Sequence, residues 1–150
     1  MSEIHITIGD VSEKEREGLL KQVKSTVCNY NPCLKVTVSE PFLDLFCKGG
    51  YYRLYYLKCR YIETDKRYLI FHCENREFRT FGKISDLSQK LPPNIFFRCN
   101  NSYIVNLQYI SEIVPEGDRY NIHLLSGEVI PLSRSRYREY RNNLKPMQKY

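Results

Sequence analysis

Three short polar clusters hold most of the side chains in this sequence that can do directed chemistry. They are Lys66-Arg67, Asn100-Asn101-Ser102, and Ser133-Arg134-Ser135-Arg136 followed by Arg138. An arginine guanidinium presents a two-pronged donor that fits the major-groove edge of guanine, and an asparagine amide fits adenine the same way. Serine hydroxyls and basic side chains suit phosphate oxygens, which fix register without reading sequence. Together the clusters have the chemistry of nucleic-acid recognition. Each also has a plain reading. Lys66-Arg67 is then a solvated turn, Asn100-Asn101 a turn satisfying its own backbone, and Ser133 or Ser135 the cap of a basic helix.

Other chemistry is sparse. The chain has no nucleophile elbow, P-loop, H-E-x-x-H, dinucleotide fingerprint or paired-carboxylate motif, and Asp44, Asp65 and Asp86 fall in unrelated contexts. The expectation is a non-enzyme without a cofactor. Six cysteines (Cys28, Cys33, Cys47, Cys59, Cys73, Cys99) show no C-x-x-C spacing, and His5, His72 and His123 are scattered. They read as reduced apolar fillers, with no metal site. Cys99 alone stands beside a polar cluster, which marks it as a thiol-switch candidate.

The elements that must position these clusters are mostly strands. From Tyr51 the sequence is dense in β formers, "YYRLYYLKCRYIE" and "RYLIFHC", with a polar turn at Thr64-Asp65-Lys66 between them. Glu74-Asn75-Arg76 makes a second turn and "EFRTF" a third strand. "KISDLSQKL" carries Ile84, Leu87 and Leu91 at helical spacing and ends at Pro92-Pro93. Strands follow at Ile95 to Arg98, Ile110 to Pro115, Tyr120 to Leu124 and Glu128 to Leu132, joined by turns at Glu116-Gly117-Asp118 and Ser126-Gly127. A terminal helix from Arg136 to Lys145 places Tyr137, Tyr140 and Leu144 inward. All three polar clusters then lie on connections between strands or after the last one, where a rigid scaffold carries function.

The first 47 residues read differently. Ile4, Ile6 and Ile8 alternate as a strand, Ser12 and Glu15 form a capping box, and Leu19, Val23 and Val27 recur at helical spacing. Leu34, Val36 and Val38 alternate again, a helical turn follows at Phe42 to Phe46, and Gly49-Gly50 makes a hinge or turn. This segment carries 5 Lys and Arg against 7 Asp and Glu, whereas residues 48 to 150 carry 18 against 10. The asymmetry points to a polyanion partner for the second part. Apolar residues at 42% suffice for a packed core. The absence of a membrane-length apolar run or a basic-apolar leader predicts a cytoplasmic protein without membrane contact.

"FFRCNNSYIVNLQYISEI" followed by "GDRYNIHLLSGEVIPLSRSRYREYRNNL" resembles the LytTR DNA-binding domain of bacterial response regulators. The shared features are Phe96-Phe97-Arg98, the polar pair Asn100-Asn101, Ser102-Tyr103, Val105-Asn106, and a hairpin closing in Ser133-Arg134. The resemblance covers roughly residues 51 to 145. It implies a mainly β, elongated, antiparallel multi-stranded domain over residues 51–150, with one or two short helices. Loops rather than a recognition helix would enter the grooves of double-stranded DNA. It further implies base reading by Lys66 or Arg67, Asn101 and Arg134, with Arg98, Asn100, Ser102, Ser133 and Arg136 on phosphates or in support. It implies two protomers on paired direct repeats. Residues 1–47 resemble the βαβ opening of a receiver domain, cut short. The acidic pair of a receiver reads Gly9-Asp10 here, so no phosphoryl switch is expected. The other class left open is an interaction module that pairs with full-length regulators without binding DNA itself.

Overall fold

The computed structural model describes residues 3–6, 13–30, 35–38 and 42–143. The N-terminal segment forms β1 (Glu3–Ile6), α1 (Glu13–Tyr30) and β2 (Lys35–Val38), with β1 and β2 parallel. The strand-helix-strand order is as expected, but the helix is turned by about one residue. Leu20, Val23 and Val27 are half-buried, whereas Leu19 is exposed. Ile8, Ser12 and Leu34 lie outside the described residues.

The helical turn expected at Phe42 to Phe46 is instead a strand, β3 (Phe42–Cys47), antiparallel to β4 (Gly50–Tyr55). "FLDLFC" has the period of two that a strand needs: Leu43, Leu45 and Cys47 turn inward, and Phe42 and Phe46 outward. The connection is Lys48-Gly49, both at positive φ (45° and 74°), the backbone that a two-residue hairpin demands. Leu45 and Leu54 from this hairpin are buried in the same core as the strands that follow.

"YYRLYYLKCRYIE" is not one strand. A 3-10 turn at Tyr56–Lys58 separates β4 from β5 (Cys59–Asp65). The turn after β5 falls at Lys66-Arg67, with Thr64 and Asp65 still in the strand. Then come β6 (Tyr68–Cys73), β7 (Glu77–Phe81), α2 (Ile84–Lys90), β8 (Phe96–Arg98) and β9 (Tyr103–Asn106). A second 3-10 turn, Leu107–Tyr109, leads to β10 (Ile110–Glu116), β11 (Arg119–Leu124), β12 (Val129–Leu132) and α3 (Arg134–Asn143).

The central sheet has the order β7-β6-β5-β9-β8, all antiparallel, and β10-β11-β12 form a second antiparallel sheet. Alternation along the central strands feeds two cores on opposite faces. Ile104 and Ile62 join Phe71, Leu69, Ile84 and Leu87 on one face. Val105 joins Cys99, Ile122, Leu124, Ile130 and Leu132 on the other. Burying each of these aliphatic side chains contributes about 1.5–3 kcal/mol before entropy is counted. Tyr137 of α3 stacks on Tyr120 at 3.7 Å between ring centres, and Tyr140 meets Phe97 at 5.4 Å. Leu144 lies outside the described residues. No helix among the described residues is long and apolar enough to cross a membrane.

Candidate nucleic-acid interface

Three hydrogen bonds bring the three polar clusters to one end of the central sheet. β5 and β9 are paired at Glu63 and Tyr103, and the next bond is from the Thr64 amide to the Ser102 carbonyl at 2.9 Å. The Lys66-Arg67 turn and the β8–β9 connection therefore leave the sheet side by side. The Ser133 amide donates to the Cys99 carbonyl at 3.0 Å, and the Asn100 side-chain amide donates to the Pro131 carbonyl. These two bonds fasten the end of β12 and the start of α3 to the same loop. A depression of about 390 Å³ opens there, lined by Asn100, Asn101, Ser133, Ser135, Arg136 and Glu139.

Within that end the polar side chains divide into holders and free groups. Asn100 is a holder. Its Oδ1 accepts from the Ser102 and Tyr103 amides at 2.7 and 3.0 Å, and its Nδ2 reaches β12. Arg98 is another: its Nε donates to the Asn100 carbonyl at 3.2 Å and its Nη2 to the Asn101 carbonyl at 3.5 Å. Arg98, expected on phosphate or in support, has its guanidinium turned onto the loop backbone. Ser133 caps α3, its hydroxyl accepting from the Arg136 amide at 3.4 Å. Arg136 pairs with Glu139 at 3.0 Å. The acid at Glu139 was not anticipated, and its i, i+3 spacing on a helix starting at Arg134 is the signal that would have found it.

The free groups are Lys66, Arg67, Asn101 and Arg134. All four are exposed, and none of their side chains has a hydrogen-bond or ion-pair partner among the described residues. Lys66 is held at φ 57°, an uncommon backbone for a residue with a Cβ. The Asn101 side chain projects from a loop whose backbone is gripped on both sides. Ser102 is half-buried and Arg138 exposed.

Cys99 does not fit the thiol-switch expectation. Its side chain is fully buried in the second core, its sulfur lies 3.4 Å from the Tyr103 carbonyl, and burial pushes the thiol up to about 12. A thiol held protonated and out of reach of solvent is a poor nucleophile. The cause is the three-stranded sheet folding over β8 and β9.

At the opposite end of β9, Asn106 is a buried polar group with every role filled. Its Nδ2 donates to the Tyr56 and Cys59 carbonyls at 3.1 and 2.8 Å, and its Oδ1 accepts from the Gln108 amide at 3.0 Å. It holds both 3-10 turns in place.

A β scaffold that gathers basic and amide side chains on loops at one end is the architecture of a loop-bearing recognition domain, and comparison with known proteins places it. The chain belongs to the LytTr DNA-binding domain family, whose model matches residues 50–145. The fold is that of a LytTr DNA-binding domain from a Bacillus cereus response regulator. Here the TM-score is 0.61 at 23% identity, covering 69% of this chain and 96% of that one. Among relatives, the transcriptional regulatory protein YpdB of Escherichia coli K12 is 32% identical over 83 residues, covering 54% of this chain and 34% of YpdB. The sensory transduction protein LytT of Enterococcus faecalis is 27% identical over 84 residues, covering 55% of this chain and 35% of LytT. The chain thus spans about a third of the length of these relatives. Residues 1–49 lie outside the family match, and β3 within them pairs with its first strand.

Proposed function

We propose that the protein is a sequence-specific, double-stranded DNA-binding transcriptional regulator that reads the grooves through loop side chains. The observation that carries this is the convergence of three loop clusters on one sheet end, where the side chains of Lys66, Arg67, Asn101 and Arg134 are exposed and without a partner among the described residues. Uncommitted donors on a fixed backbone suit base edges, because little ordering remains to be done when DNA arrives. Asn101 and Arg134 are the base readers, joined by Lys66 or Arg67 from the neighbouring turn. Ser102, Ser133 and Arg136 serve phosphates, while Arg98 and Asn100 hold the loop in shape. The net charge of +6 favours approach to a polyanion. Two protomers on paired direct repeats in the cytoplasm complete the proposal. Gly9-Asp10, where a receiver carries an acidic pair, supports regulation without phosphorylation of residues 1–47.

A fluorescence-anisotropy titration on matched and scrambled duplexes at two salt concentrations tests the assignment. Arg134→Ala is expected to lose about 1–3 kcal/mol of discrimination at one base position. Arg136→Ala is expected to weaken all duplexes alike and to flatten the salt dependence. Unchanged discrimination in Arg134→Ala overturns its role as a reader.

A second reading, a module that pairs with full-length regulators, draws on one observation. Phe46 and Phe81 are 75% and 68% exposed, and both line a groove beside α2. Contiguous exposed aromatic surface suits a protein partner. Loss of DNA binding at low salt with retained pairing would favour it.

A further inference from the structure

Cys59 and Cys73 face each other across β5 and β6, and both are free thiols. The Glu74 amide donates to the Lys58 carbonyl at 3.1 Å, so 58 and 74 are the hydrogen-bonded pair. Cys59 and Cys73 are then the adjacent non-hydrogen-bonded pair, the position where facing side chains come closest, beside the register shift between Cys59 and Tyr61. The Cys59 thiol donates to the Tyr61 carbonyl at 3.7 Å. Facing Cβ atoms at such sites lie about 4.5–5.5 Å apart, slightly beyond the about 3.5–4.5 Å of a relaxed disulfide. A bond made here carries some strain, which is the property of a reversible disulfide rather than a permanent staple.

We infer that Cys59 and Cys73 form a reversible cross-strand disulfide when the protein meets a hydroperoxide. Their surroundings divide the labour. The neighbouring Cys59 thiol lowers Cys73 below the ordinary thiol range, and Arg60 and Arg76 add to this. Burial raises Cys59 well above that range. Cys73 also ends its strand, next to the exposed residues Glu74, Asn75 and Arg76, and retains 7% exposure where Cys59 has none.

Cys73 is therefore the thiolate that attacks the peroxide. Its sulfur takes one oxygen as the O–O bond breaks, giving a sulfenic acid, and the released hydroxide takes up a proton as water. Cys59 then loses its proton and attacks the Cys73 sulfur, expelling the second oxygen as water. Two thiols and one hydrogen peroxide give one disulfide and two waters, and a dithiol reductant reverses the change. The bond closes the open end of the hairpin whose turn is Lys66-Arg67, at the sheet end away from the recognition loops. Cys59 also offers its carbonyl to Asn106 at 2.8 Å, so the link forms within an already anchored corner.

The test is to treat the folded full chain with graded hydrogen peroxide, trap remaining thiols with iodoacetamide after denaturation, and map the peptides by mass spectrometry. The expected product is a Cys59–Cys73 linked peptide that dithiothreitol removes, and Cys73→Ser loses it while Cys59 remains alkylated. Exposed Cys28 serves as the internal measure of peroxide dose. The proposal is overturned if Cys59 and Cys73 both remain alkylated at doses that oxidise Cys28. It is equally overturned if Cys73 advances to the sulfinic acid without the linked peptide, or links to a different cysteine.

Discussion

The two ends of β9 use the same side chain in opposite ways. At its far end Asn106 is fully buried and gives all of its hydrogen-bonding capacity to the Tyr56 and Cys59 carbonyls and the Gln108 amide. At its near end Asn101 is exposed and its side chain bonds to nothing among the described residues, although its carbonyl is held by Arg98. Asn100, one residue away, behaves like Asn106 rather than like its neighbour. An asparagine is therefore part of the fold when its amide closes backbone bonds. It is available for recognition when neighbouring residues do that closing for it. The anchor end should be costly to disturb and silent toward DNA; the loop end should be the reverse.

The largest break in the comparison comes from Asn106→Ala. It strands two buried carbonyls and an amide and leaves a small cavity, so we expect a loss of about 3–5 kcal/mol in urea-induced unfolding. Whatever fraction remains folded should discriminate DNA sequences as the wild type does. Asn100→Ala should cost less, about 1–3 kcal/mol, because its site is partly open to water. It should also degrade sequence discrimination by releasing the loop. Asn101→Ala should change unfolding by less than about 0.5 kcal/mol while discrimination falls. Equal unfolding costs for the two neighbouring asparagines would erase the distinction between holder and free group.

Cys99 sharpens the same contrast through pH. Its thiol is pushed up to about 12 in the folded chain, against an ordinary value of 9.0. Between those values the unfolded chain releases the proton and the folded chain keeps it. The folded state then holds more protons, so stability falls as pH rises from about 9 toward about 12 and is unaffected below. Urea midpoints at about pH 8 and about pH 10.5 should diverge more for wild type than for Cys99→Ala. The only stabilising effect belongs to the turn. Lys66→Gly relieves a positive φ and should stabilise by up to about 1 kcal/mol in the same unfolding assay. It should also weaken DNA binding by removing a cation.

Much of this was legible in the residue pattern. The β-rich second part, the helix from Ile84, and the placing of Lys66-Arg67, Asn100-Asn101-Ser102 and Ser133-Arg134 on connections follow from alternation and turn residues, which are local signals. What escaped depends on contacts far apart in sequence. "FLDLFC" is short enough to suit a helical turn or a strand, and only pairing with β4 decides it. The 3-10 turn at Tyr56–Lys58 interrupts a run of strong β formers because Asn106, fifty residues later, takes the Tyr56 carbonyl. Arg98 and Cys99 looked available because their neighbours are polar. Arg98 is turned back onto the loop backbone, and Cys99 is covered by β11 and β12, which no local pattern announces. Asn101 and Arg134 needed no such distant information, since neither side chain is bonded to another of the described residues.

Selection of binding sites from a randomised duplex pool tests the central claim most directly, because it works for any operator sequence. The wild-type chain should enrich a defined motif, and a variant carrying both Asn101→Ala and Arg134→Ala, with wild-type unfolding stability, should retain weak salt-sensitive binding and enrich none. Failure of the wild type to enrich any sequence, or enrichment of the same motif by the double variant, would contradict the assignment of recognition to the loop end.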